Sequence, residues 1–305
     1  MSAAVDEKRI AEAEECKKRA DKHLKTSLIG LKFKPDFDSA ASEYERAAVC
    51  YKNLRRPAEC KEMYLKAADC HLNNGVIFHT AKCKEQAAML SRDLGQIDDA
   101  KSLMEEAAQL YAEQGTTESS VSALSKAAKF FEDNEPEKAI DIYKRALYAV
   151  QETDKLRQMT EFANRISKLY IRLEKYDDAV DAIKTEIECY GDEDQCVGKI
   201  GQLVTALVLV HLKRGDSVEA DKALQSFAGV RGFRATEDAQ TLPHLIEAYE
   251  QGDREKWQRC CNVAHMKYLD NDYLRLIKKI ELPSKKKQTG DGDGGDVSEE
   301  EEDLR

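Results

Sequence analysis

A recurrence of Ala, Tyr and Leu positions about every forty residues runs through most of this 305-residue chain and constrains its fold more than any single residue does. Six stretches align by their turns: Leu54 to Cys60, Leu94 to Ala100, Asp133 to Ala139, Leu173 to Ala179, Arg214 to Ala220 and Gln251 to Trp257. Their closing residues are 40, 39, 40, 41 and 37 apart. A fixed period of this length marks a stack of helical hairpins, in which each unit buries its apolar face on the next and the stack presents one continuous binding surface. The period exceeds the roughly 34 residues of the usual tetratricopeptide unit, so each helix is expected to be about three residues longer.

Within the repeats, apolar residues return at helical spacing, as in Ala41, Tyr44, Ala48 and Tyr51, or Ile166, Leu169, Tyr170 and Leu173. Small Ala side chains let helices approach closely and larger ones fill the gaps. The alternation that strands need is missing, and the chain reads as all-α: a tetratricopeptide-like helical-hairpin solenoid with a C-terminal helical cap. The five prolines are expected at helix boundaries: Pro57 and Pro136 in hairpin turns, Pro243 near a helix start, Pro283 closing the last helix, and Pro35 fitting the same scheme. Residues 1–228 read as the solenoid and residues 229–283 as a helical bundle around the only Trp, Trp257. Residues 284–305 read as a disordered acidic tail.

No apolar run approaches the roughly 20 residues that span a bilayer, and Met1 to Ala20 is charged throughout, without a signal-peptide core. A cytoplasmic protein is expected. The nine cysteines include no Cys-x-x-Cys pair, and Cys60 stands where other repeats place Ala, which makes it a small buried residue. None of the six histidines lies in a His-Glu-x-x-His frame, so they read as packed or surface residues. Nucleophile elbow, phosphate loop and dinucleotide fingerprint are all missing. The expectation is a binding protein and not an enzyme, with no cofactor, no metal and no nucleic-acid partner.

The two ends differ in charge. From Cys16 to Lys34 seven bases stand against Asp21, a net of plus six, whereas from Ser284 to Arg305 four bases oppose eight acids, a net of minus four. Between the first two helices, Leu28, Ile29, Leu31 and Phe33 put four apolar side chains into a loop flanked by bases. Burying one such side chain is worth about 1.5 to 3 kcal/mol, and each nearby base adds about 1 kcal/mol at an anionic lipid surface. Shallow, reversible membrane contact is one reading, and a staple folded back over the first helix pair is the other. At the far end, Glu299 to Asp303 form a run of five acids before Leu304 and Arg305. Such a run is either solvated or steers a basic partner onto the single apolar Leu304.

The stretch Lys34-Pro35-Asp36-Phe37-Asp38-Ser39-Ala40-Ala41-Ser42-Glu43-Tyr44, the Leu-Ile-Gly-Leu-Lys-Phe loop before it, and Tyr268-Leu269-Asp270-Asn271-Asp272-Tyr273 resemble the soluble NSF attachment proteins. The gamma form is most similar, although the Glu-Glu-Asp-Leu-Arg ending resembles the alpha and beta forms. The resemblance implies an adaptor that lies along the SNARE four-helix bundle left after membrane fusion and recruits the hexameric ATPase NSF. NSF then pulls the bundle apart, a step of vesicle-mediated transport. It further implies a peripheral-membrane protein whose Leu28, Ile29, Leu31 and Phe33 contact lipid and whose Leu304, with Glu301, Glu302 and Asp303, contacts NSF. Arg165 matches one SNARE-facing basic position of the family, while other such positions fall on residues that are not basic. Lys126, Lys129, Lys168, Lys213 and Arg214 are candidates for the same field, because steering onto an acidic bundle tolerates displaced charges. The rival reading is a tetratricopeptide-type cochaperone or scaffold that binds peptide C-termini, for which Asn53, Asn73 and Asn74 are the nearest carboxylate-binding candidates.

Overall fold

The computed structural model describes residues 2–26, 34–151, 155–191 and 196–283, with side chains from residue 6 onward. The described residues contain fifteen α-helices and no strand. They are α1 (Ser2–Leu24), α2 (Phe37–Asn53), α3 (Pro57–Asn73), α4 (Ile77–Asp93), α5 (Ile97–Glu113), α6 (Thr117–Phe131), α7 (Pro136–Gln151), α8 (Leu156–Arg172), α9 (Tyr176–Tyr190), α10 (Val197–Lys213), α11 (Ser217–Ser226), α12 (Glu237–Glu250), α13 (Arg254–Cys261), α14 (Ala264–Lys267) and α15 (Asn271–Lys279). They fall into two compact units, Met1–Glu193 with α1 to α9 and Asp194–Arg305 with α10 to α15.

In the first unit each helix packs on the next in chain order. Helices α2 to α5 are 17 residues each and are separated by three-residue turns, which makes the forty-residue hairpin. The turn has one recurring chemistry. Its first residue is still right-handed, its second is left-handed and its third stands at the N-cap position of the next helix. The left-handed residues are Arg55, Gly75, Gly95, Gly115 and Glu174 in this unit, and Gly215 and Gly252 in the other, with φ between 56° and 83°. At Gly95 the amide donates to the Arg92 carbonyl at 2.9 Å and the Gln96 amide reaches back to Ser91 at 2.8 Å. This paired closure occupies carbonyls that a helix end leaves without partners. Glycine holds five of the seven positions because a Cβ in this region meets backbone oxygen.

The fourth residue is small in eight of the fifteen helices. Ala40, Cys60, Thr80, Ala100, Ser120, Ala139, Ala179 and Ala220 all sit there, and all are buried. The Cys60 thiol donates to the Ala48 carbonyl at 3.2 Å, and the Ser120 hydroxyl donates to the Ala108 carbonyl at 3.0 Å, so consecutive helices meet almost backbone to backbone. Opposite them lie the pairs Ala47–Ala48, Ala67–Ala68, Ala87–Ala88, Ala107–Ala108 and Ala127–Ala128, all buried and spaced by twenty residues. The underlying repeat in this stretch is therefore one helix and one turn. Cys60 is fully buried as expected, and burial pushes its thiol up to about 11.

In the second unit α10 is buried nearly all round from Ile200 to Leu212, with α11, α12 and α15 packed on it. Gly201 admits the buried Asp238, whose Oδ2 would lie 2.7 Å from any Cβ at that position. Asp238 Oδ1 accepts the Thr205 hydroxyl at 2.9 Å. Trp257 is buried beside Tyr249, with ring centroids 6.3 Å apart.

Two prolines depart from the boundary scheme. Pro243 lies inside α12, which starts at Glu237 under the Thr236 cap. Its ring sits on the exposed face of the helix, away from the core. The last helix ends at Lys279, with Ile280 already extended, before Pro283 is reached.

The turn chemistry gives a paired test. A Cβ at Gly95 would meet nothing within 4 Å, so Gly95→Ala isolates the conformational cost and should destabilise by about 1 kcal/mol. Arg55→Gly and Glu174→Gly should move the urea midpoint the other way, by about 0.5 kcal/mol each once the added freedom of the unfolded chain is counted. Opposite shifts on chemical denaturation are the expected outcome.

Candidate functional site

Helices α6 and α8 open successive hairpins and place their cations in register. Lys126 and Arg165 are each the tenth residue of their helix, and Lys129 and Lys168 are each the thirteenth. Four of the six basic residues expected to face an acidic partner thus occupy two matched rows. Lys213 belongs to the other compact unit, at the end of α10.

The rows carry less free charge than the sequence implies. Lys126 Nζ is bonded to Glu85 Oε1, and the other oxygen of Glu85 accepts the Tyr111 hydroxyl at 3.1 Å. Arg165 Nη1 lies 3.7 Å from Glu132 Oε1, which accepts the Tyr143 hydroxyl at 2.6 Å. Both acids are mostly buried, with side chains 15 % and 16 % exposed, while the side chains of both cations are 40 % exposed. The pattern follows from packing: each buried Tyr needs an acceptor, the acceptor is an acid on a neighbouring element, and that acid draws in a cation. Burial, then the neighbouring acid, drives the Tyr111 phenol well above its usual range. For Tyr143 the order is burial, then the hydrogen bond to Glu132.

Lys129 is exposed, and Lys168 is half-buried and engaged with its own surroundings. Lys213 donates to the Lys279 carbonyl at 2.7 Å, and Arg214 Nη1 lies 3.5 Å from His211 Nδ1.

Leu28, Ile29, Leu31 and Phe33, and at the other end Glu301, Glu302, Asp303 and Leu304, lie outside the described residues. The stem of the first loop is described: the Asp36 amide donates to the His23 carbonyl at 3.0 Å, and the Asp36 carboxylate lies 3.2 Å from His23 Nδ1. The asparagines considered for peptide-carboxylate capture sit at helix ends. Asn53 and Asn73 close α2 and α3, Asn74 follows, and the Asn73 amide donates to the Asp69 carbonyl of its own helix at 2.7 Å.

The motif that carried the family resemblance is mostly structural. Asp36 caps α2 by accepting the Ser39 amide at 3.1 Å, Ala40 and Ala41 are core, and the buried Tyr44 donates to Asp21 at 2.5 Å. In the C-terminal motif Asp270 caps α15 and Tyr273 is buried, whereas Tyr268 is 81 % exposed.

One constellation escaped sequence reasoning. Glu45 of α2, His71 of α3 and Cys83 of α4 direct their ligand-type atoms to one point, all within 4.8 Å of one another. His71 Nε2 and Glu45 Oε1 are 2.8 Å apart, and the Cys83 thiol donates to the same oxygen at 3.5 Å. The residues are 26 and 12 apart in sequence, so no spacing rule finds them. The only available signal is that each stands in a repeated helix whose register brings its face to the same seam.

The family model described as "Soluble NSF attachment protein, SNAP" matches residues 11–282. Gamma-soluble NSF attachment protein from Dictyostelium discoideum is 23% identical over 282 residues, which cover 92% of this chain and 86% of the relative. The protein of the same name from Arabidopsis thaliana is 23% identical over 266 residues, covering 86% and 89%. Among solved structures, BtubC (BKLC) from P. vanneervenii is 16% identical with a TM-score of 0.41, covering 74% of this chain and 91% of its own. Aspartyl phosphate phosphatase F from Bacillus subtilis is 15% identical with a TM-score of 0.40, covering 91% and 72%. A match across nearly every described helix, with the caps and core of both motifs in place, makes this chain a member of the soluble NSF attachment protein family.

Proposed function

We propose that this chain bridges an assembled SNARE four-helix bundle to the hexameric ATPase NSF and stimulates NSF to take the bundle apart. The family match over residues 11–282 carries this reading, and by that membership the chain is an NSF attachment adaptor and not an enzyme. Helix-hairpin stacks suit the task because they offer a long continuous face to a long rod. The rows on α6 and α8 supply charge of the sign that an acidic bundle attracts. Several copies around one bundle would add avidity that no single weak face provides.

In this reading Leu28, Ile29, Leu31 and Phe33 hold the adaptor at the lipid surface, and Leu304 with Glu301, Glu302 and Asp303 engages NSF. No helix among the described residues is long and apolar enough to cross a membrane, so attachment through the loop would be peripheral.

The two kinds of cation predict different mutants. Lys129→Glu, at an exposed position, should weaken binding to a SNARE bundle several-fold at low salt and leave the thermal melt unchanged. Lys126→Glu and Arg165→Glu face Glu85 and Glu132 with a like charge, and should lose about 1 kcal/mol of stability as well as affinity, after allowance for solvent screening. Melts run beside binding isotherms in graded salt separate the two classes.

ATP-driven disassembly of a preformed SNARE complex on liposomes, with NSF present, tests the reading as a whole. Disassembly should require this chain, and a chain cut before Leu304 should still bind the bundle but lose most of the stimulation. Replacing Leu28, Ile29, Leu31 and Phe33 by Ser should slow disassembly on liposomes and leave it unchanged in detergent-free solution with soluble SNARE fragments. Failure to recruit NSF with the intact chain would overturn the adaptor reading.

A further inference from the structure

We propose that Glu45, His71 and Cys83 bind a divalent cation of the zinc class, and that the bound ion ties α2, α3 and α4 together. The donor set is a carboxylate, an imidazole and a thiol, the mixed hard and soft combination that zinc accepts and that magnesium and calcium do not. Tetrahedral zinc with these ligands has neighbouring donor atoms about 3.3 to 3.7 Å apart. Here they are 2.8 Å apart for His71 and Glu45, 3.5 Å for Cys83 and Glu45, and no more than 4.8 Å for the third pair. Side-chain shifts of less than about 1 Å on fixed helices reach the bonded geometry.

The charge also balances. His71 and Cys83 are buried, and an isolated dication would be costly there. One thiolate and one carboxylate cancel it. On binding, the Cys83 S–H bond breaks, the sulfur keeps the electron pair for the metal, and the proton leaves to solvent. His71 would bind through the Nε2 lone pair, in the tautomer that carries its proton on Nδ1. The site reaches solvent through Glu45, whose side chain is 39% exposed, and this supplies the path for the ion and the departing proton.

His71 Nδ1 is buried with no partner, so the ring is only half satisfied, and its one bond goes to the carboxylate oxygen that would share the metal. The fourth coordination position is left to water. The His79 ring is stacked on His71 at 5.1 Å between centroids, one helical turn before Cys83 on α4.

The test uses the full-length reduced chain and Co2+ as the probe. One equivalent should give the intense visible bands of tetrahedral cobalt with a thiolate-to-cobalt charge-transfer band in the near ultraviolet, and Zn2+ should displace it. Cys83→Ser should abolish the charge-transfer band, and His71→Gln and Glu45→Gln should each weaken binding at least about tenfold. Cys189→Ser, on α9 and not one of the three donors, should leave the spectrum unchanged. Far-ultraviolet circular dichroism checks that the variants keep their helices, and Glu45→Gln, at the half-exposed position, remains readable if a buried substitution unfolds the chain. Zn2+ should also raise the melting temperature of the parent chain and not that of Glu45→Gln. A spectrum without tetrahedral bands, or one that survives Cys83→Ser, would overturn the proposal.

Discussion

The first compact unit depends on how closely one helix can approach the next. A small residue at the fourth position of a helix faces an Ala pair in the helix before it, and the hydrogen bonds from Cys60 to Ala48 and from Ser120 to Ala108 show how little space remains between the backbones. Dispersion contacts and apolar burial along such seams hold the stack, because each helix packs on the next in chain order. The three-residue turn with a left-handed centre serves the same end: it reverses the chain without leaving helix-end carbonyls bare, so the next helix begins in contact.

This packing decides the electrostatics of the surface. Alanine seams draw the larger Tyr side chains to the edges, where their hydroxyls require acceptors. Acids from neighbouring elements provide them: Glu14 for Tyr51, Asp21 for Tyr44, Glu85 for Tyr111 and Glu132 for Tyr143. Two of those acids then hold Lys126 and Arg165. Cations that look available in the sequence are therefore partly spent inside the fold. The same seam geometry, with Glu45, His71 and Cys83 in place of Tyr, acid and base, gathers three metal-type donors instead.

Much of the architecture was legible. The six aligned stretches mark real turns from α2 into α3 through α12 into α13, and the excess over a 34-residue unit appears as 17-residue helices. The finer period was missed although it lay in view: the Ala pairs return every twenty residues, but glycine, arginine and glutamate share the same turn position, which hides the single-helix unit. Pro243 reads as a boundary because the sequence shows that its N–H is missing and does not show that its side chain lies on the exposed face of α12. The family motifs were readable because their caps and core positions are local.

By itself the sequence determined the all-α class, the hairpin period, the turn positions and the family, since each is written in residues close together along the chain. Tertiary structure alone decided which cations are already paired, which compact unit each belongs to, and which donors share a point in space. Those depend on contacts between helices, such as Lys126 with Glu85 at 41 residues' separation or Cys83 with Glu45 at 38. Pairings of that range are set by helix register and the depth of the seam, and both exist only once the helices have packed.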